Sequence, residues 1–132
     1  MTVYLGNISY GLNIALTFNY PDTADWWGLP VRAGDVSSKT IILGDAAMSG
    51  RGDDGYFYGA YYMYAQPYTS PGGGQAWPRH SGACNILWGD GHVSTVAAPD
   101  PKAPESLYEP EALGRIYDFP QHWLRRSSPL LK

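Results

Sequence analysis

Glycine and proline interrupt nearly every stretch of this chain, with 16 Gly and 11 Pro among 132 residues. Glycine leaves the backbone unusually free, whereas proline fixes φ and removes an N–H donor. A chain broken this often cannot sustain a coiled coil or a helical bundle. It also carries 5 Trp, 11 Tyr and 3 Phe, an apolar payload too large for a disordered segment. At this length a single domain, here 1–132, buries about two-thirds of the surface its unfolded chain exposes. Charged residues make up only 16%, and the net charge of −3 argues against a nucleic-acid or anionic-membrane surface. No run of 18 apolar residues and no leader-like start is visible, so no membrane contact by the chain itself is expected.

The pattern predicts a mainly β domain, bordering on α+β: a small antiparallel sheet with long aromatic loops and one short helix. Residues 1–20 alternate like short strands, with Leu12, Ile14, Leu16 and Phe18 in step. Ser37 to Asp45 reads as a buried strand centred on Thr40-Ile41-Ile42-Leu43, and Tyr56 to Tyr64 as a second with large side chains on both faces. Pro99, Pro101 and Pro104 suggest a stiff spacer. Pro110, with Glu109 and Glu111, predicts a helix over 111–117. Cys84 is the sole cysteine, so there is no internal disulfide. Its apolar neighbours predict a buried, inert thiol.

Asp90-Gly91 between Cys84–Gly89 and His92–Val96 is a hairpin signal. A two-residue type I′ loop there would pair Gly89 with His92, Trp88 with Val93, Leu87 with Ser94 and Ile86 with Thr95. The run from Arg79 to Val93 (RHSGACNILWGDGHV) resembles the signature of the prepilin-type processing-associated domain family, named for a His, nine residues, then Asp-Gly. His80, Asp90 and Gly91 fit that spacing. Ser9–Asn13 and Ser38–Asp45 resemble further family segments in the same order, so the resemblance covers about 7–96 and leaves 97–132 as spacer and tail.

That resemblance implies a type II secretion pseudopilin-like head: an extracytoplasmic, non-catalytic structural subunit acting by self-assembly or contact with other pilin-like subunits. Family members begin with a leader and a long apolar helix, which this sequence does not show. The expectation is therefore a head region without its anchor. A cell-surface module binding glycan or calcium is the alternative, and a hydrolase using an aspartate pair is third.

The residues themselves allow sharper expectations. If 83–90 is one extended strand, its ends lie ~25 Å apart, which gives His80 and Asp90-Gly91 separate structural jobs. Ile42-Leu43-Gly44-Asp45 and Leu87-Trp88-Gly89-Asp90 share a pattern. Were those strands parallel neighbours, the Asp45 and Asp90 carboxylates would emerge about 5 Å apart, a candidate Ca²⁺ pair, with His92 as an alternative counter-charge. The simpler reading has Asp45 accepting backbone N–H bonds. Trp26, Trp27, Tyr56, Tyr58, Tyr62 and Trp77 are candidates for a contact surface, toward other subunits or a glycan. No G-x-S-x-G, H-E-x-x-H or phosphate-cradling loop is present, so the chain is not expected to be an enzyme.

Overall fold

The computed structural model describes residues 10–17, 32–48, 59–60, 62–67, 74–128 and 131. The domain is mainly β. Strand β1 (Tyr10–Asn13) is followed by one helical turn, α1 (Ile14–Thr17). Then come β2 (Ile41–Met48), β3 (Tyr62–Met63), β4 (Gly74–Ala76), β5 (Ala83–Trp88), β6 (Val93–Ala97) and a last helical turn, α2 (Pro120–Trp123). Five strands lie in the order β3-β1-β2-β5-β6, and β4 pairs with the far end of β2. All pairings are antiparallel except β1 with β3, so the sheet is mixed.

Local chemistry moved several expected boundaries. The alternation after Leu12 does not continue as strand, because buried Asn13 folds the chain back: its Oδ1 accepts from Ala15 N at 3.0 Å. Asn13 Nδ2 donates to the carbonyls of Ile41 and Trp123, both at 2.9 Å, tying the sheet to α2. Ser37–Thr40 is a turn knitted by hydroxyls, with Ser37 N donating to Thr40 Oγ1. β2 therefore starts at Ile41 and runs on through Asp45, which the sequence had suggested as its end. Of the strand expected over 56–64, residues 56–58 and 61 lie outside the described residues, and Tyr62–Met63 is the strand observed.

The helix expected at 111–117 is absent. That segment is a series of turns, because Gly114 takes φ +71 and a side chain there would strike the Phe119 ring. Helical turns form instead behind two other prolines, as a 3-10 helix at Pro104–Tyr108 and as α2 at Pro120–Trp123. The missing N–H of proline costs nothing at these first positions.

Residues 98–124, expected as part of a spacer and tail, pack into the domain. Leu107, Tyr108, Leu113, Ile116, Trp123 and Leu124 are buried and share one core with Ile41, Ala46, Met63, Ala76, Cys84 and Ile86 of the sheet. Tyr108 and Trp123 stack at 5.7 Å. The Tyr108 hydroxyl accepts from Ala76 N at 2.9 Å and donates to Tyr64 O at 2.7 Å, so its burial leaves no polar group unmet. Arg125 Nη2 donates to Leu16 O at 2.9 Å, holding the segment just after α2 against α1.

The opposite face of the sheet carries an apolar row. Leu12 lies opposite Leu43, Leu43 opposite Leu87, and Leu87 opposite Val93, one residue from each of four adjacent strands. Directly opposed residues share a face. Leu12 is 50% exposed and Val93 65% exposed, while Leu43 and Leu87 are half-buried. No described helix is long and apolar enough to cross a membrane.

Candidate functional site

Asp45 is the buried charge around which the signature residues gather. β2 pairs with β5 up to Gly44 and with β4 from Ala46, so Asp45 stands at the fork where one partner gives way to the other. At such a fork the ladder is interrupted, and polar groups need partners from elsewhere. The connection from β4 to β5, residues 77–82, and Asn85 of β5 supply them. Trp77 N donates to the Asp45 carbonyl at 2.9 Å. The fully buried Asp45 carboxylate accepts from Asn85 N at 2.7 Å through Oδ2, and its Oδ1 meets His80 Nε2 at 3.2 Å and Arg79 Nε at 3.6 Å. Arg79 Nη2 also donates to Ala46 O at 2.6 Å. The His80 side chain remains 49% exposed and that of Arg79 29%.

The signature's Ser-Gly pair makes this reach feasible. His80 and Ala83 exchange both backbone hydrogen bonds, at 3.0 and 3.1 Å, around Ser81 (φ +54) and Gly82 (φ +84). Two successive positive φ values define a type I′ loop, and it reverses the chain immediately after His80. Ser81 is the only non-glycine residue with positive φ among those described. The sequence had suggested this loop type at Asp90-Gly91.

The Asp90-Gly91 hairpin is built differently. Gly91 N donates to Trp88 O and Trp88 N to His92 O, both at 2.9 Å, with Gly91 at φ +90. This is a three-residue loop: a type I turn followed by a left-handed glycine. The extra loop residue slips the register by one, so Leu87 faces Val93 and Ile86 faces Ser94. A one-residue slip exchanges faces. Trp88 thus shares a side with Ser94, whose Oγ accepts from Trp88 Nε1 at 2.6 Å, and Val93 turns out to solvent. The Asp90 carboxylate accepts from the backbone N–H and the ring of His92. The backbone bond, then the ring, hold the Asp90 carboxyl below its ordinary range.

Asp45 and Asp90 are not brought together. β2 and β5 are antiparallel, so Asp45 lies beside Asn85, about 15 Å of extended chain from Asp90. The calcium pair that needed parallel strands does not form, and the carboxylate that His92 meets is that of Asp90. Among the described residues no group of three or more His, Cys, Asp or Glu side chains could hold a metal ion. His80 and Asp90 likewise occupy opposite ends of β5, the first clamping the β4–β5 connection and the second turning the hairpin.

Cys84 lies beneath Asp45, its Sγ 3.5 Å from the Asp45 carbonyl. Burial, and then the Asp45 charge, push the thiol up to about 12. It is inert as a nucleophile at neutral pH. Of the expected contact-surface residues, Trp26, Trp27, Tyr56 and Tyr58 lie outside the described residues, while Tyr62 and Trp77 are half-buried.

Three features escaped sequence reasoning. Arg79 and Asn85 as partners of Asp45 were visible only as neighbours in the signature. The apolar row depends on registers that the sequence does not print. A run of rings, with His92 stacked on Trp88 and His122 edge-on to Trp88 and stacked on Phe119, joins residues more than 25 positions apart.

Fold and site together define a small, mainly β domain in which a buried aspartate clamps a strand connection through imidazole and guanidinium. No protein-family model, curated protein or solved structure matches the chain.

Proposed function

We propose that this chain is a non-catalytic, extracytoplasmic head domain, similar to those of pseudopilins, that works by assembling with copies of itself or with sister subunits. The observation that carries this reading is the apolar row Leu12–Leu43–Leu87–Val93, which crosses four strands on the face away from the core. Exposed apolar surface organised in this way marks an association site. The chemistry of the signature residues supports the same reading. His80 is engaged by Asp45, Asp90 by His92, and the thiol of Cys84 is buried, so these groups serve the scaffold.

The test is light scattering of the chain across a wide concentration range, compared with Leu12→Lys and Leu43→Lys. Concentration-dependent association that both substitutions weaken supports the proposal. A strict monomer at about 1 mM, or association indifferent to both, defeats it.

A further inference from the structure

We infer that strand β6 is a dimerisation edge, pairing antiparallel with β6 of a second copy about a two-fold axis at Thr95. This rests on the assembly reading above and adds an edge contact to the face contact proposed there. β6 is the last strand of the sheet order, with β5 on one side and no strand on the other among the described residues. The bonds Trp88 N to His92 O and Ala98 N to Gly82 O bracket its ladder with β5. Hydrogen-bonded and non-bonded residues alternate in an antiparallel pair. Positions 92, 94, 96 and 98 therefore bond to β5, and Val93, Thr95 and Ala97 direct their N–H and C=O groups toward the open edge.

Edge strands are usually blunted by a charged side chain, a proline or a bulge. Val93-Ser94-Thr95-Val96-Ala97 has no charge and no proline, and its register with β5 is unbroken. The sequence is also self-complementary. Centred on Thr95, the pairing sets Thr95 against Thr95 and Val93 against Ala97, all exposed, with no like charges opposed. It makes about six backbone hydrogen bonds. It also prolongs the apolar row, which ends at Val93, onto the second copy. A self-paired edge is isologous and closes on itself, so this contact gives a dimer and not a fibre. Five residues of edge bury little area, which places the dimer among weak associations.

The experiment is sedimentation equilibrium of the full chain from about 10 µM to about 1 mM, with four variants. Thr95→Pro removes an outward N–H while sparing the ladder with β5, and Thr95→Val controls for the lost hydroxyl. Val93→Lys with Ala97→Lys opposes like charges across the axis, whereas Val93→Lys with Ala97→Glu opposes unlike ones. Dimerisation of the wild type and of Thr95→Val is expected, weakened at least about tenfold in Thr95→Pro and in the double lysine variant, and restored in the Lys/Glu variant. Should Thr95→Pro fail to fold, the two charge variants decide alone, since both of their sites are exposed. Association unchanged in the double lysine variant overturns the β6 pairing and leaves the assembly proposal standing on the sheet face. A monomer at every concentration overturns both.

Discussion

Replacing Asp45 with asparagine keeps the shape of the side chain and removes its charge, so the variant isolates what the carboxylate contributes. In the wild type the carboxylate takes Asn85 N at 2.7 Å, His80 at 3.2 Å and Arg79 at 3.6 Å. An amide can keep the Asn85 bond through its oxygen. Its NH₂ then faces two cationic or donor groups that need an acceptor. Hydrogen bonds to a charged group are worth about 1.5–3 kcal/mol each. The contacts to His80 and Arg79 are discounted toward about 1 kcal/mol apiece, because both side chains reach solvent. The expected loss for Asp45→Asn is therefore about 2–3 kcal/mol. Asp45→Ala also orphans the Asn85 N–H and costs about 3–5 kcal/mol. Urea unfolding monitored by Trp fluorescence reads these values directly, provided the slopes remain comparable. A loss below about 0.5 kcal/mol in Asp45→Asn would refute the clamp, because surface substitutions alone span that range.

Two further outcomes follow from the geometry. Gly82→Ala is expected to cost about 1–3 kcal/mol in the same assay, since Gly82 sits at φ +84 and a Cβ there would lie 2.8 Å from the Pro101 Cβ; a neutral result would contradict the type I′ loop. Cys84 predicts an alkaline slope. Its folded pKa is raised to about 12, so the unfolded chain releases the proton first and stability is lost as pH rises above about 9, by about 1.4 kcal/mol per pH unit. Unfolding curves of wild type and Cys84→Ala should diverge in slope between about pH 9 and 11, and parallel curves would show the thiol to be accessible.

The mainly β class was readable because glycine and proline punctuation excludes long helices whatever the tertiary context. The buried thiol and the hairpin around Asp90 were readable for the same reason, being set by neighbours in sequence. Loop length was not. Type I′ and bulged loops both accept Asp-Gly, and the register found here is the one in which Trp88 meets Ser94 across the strands. The Asp45 cluster was hidden because it joins residues 34 to 40 positions apart at a fork between two strand pairings, which periodicity cannot locate. The apparent echo of Gly44-Asp45 and Gly89-Asp90 arose separately. Gly44 faces Ile86, whereas Gly89 N donates to Thr40 O and a Cβ on Gly89 would strike the Ser37 carbonyl. The proline-rich segment after Ala98 misled in the other direction. Its prolines start helical turns that carry Leu107, Tyr108 and Trp123 into the core.

The partner of the signature imidazole sets what holds the β4–β5 connection, and a pair of double-mutant cycles measures it. The first combines His80→Ala with Asp45→Asn, and the second combines His80→Ala with Asp90→Asn. Coupling of about 1 kcal/mol in the first cycle and none beyond about 0.3 kcal/mol in the second is the predicted result. Coupling between His80 and Asp90, with none between His80 and Asp45, would contradict it.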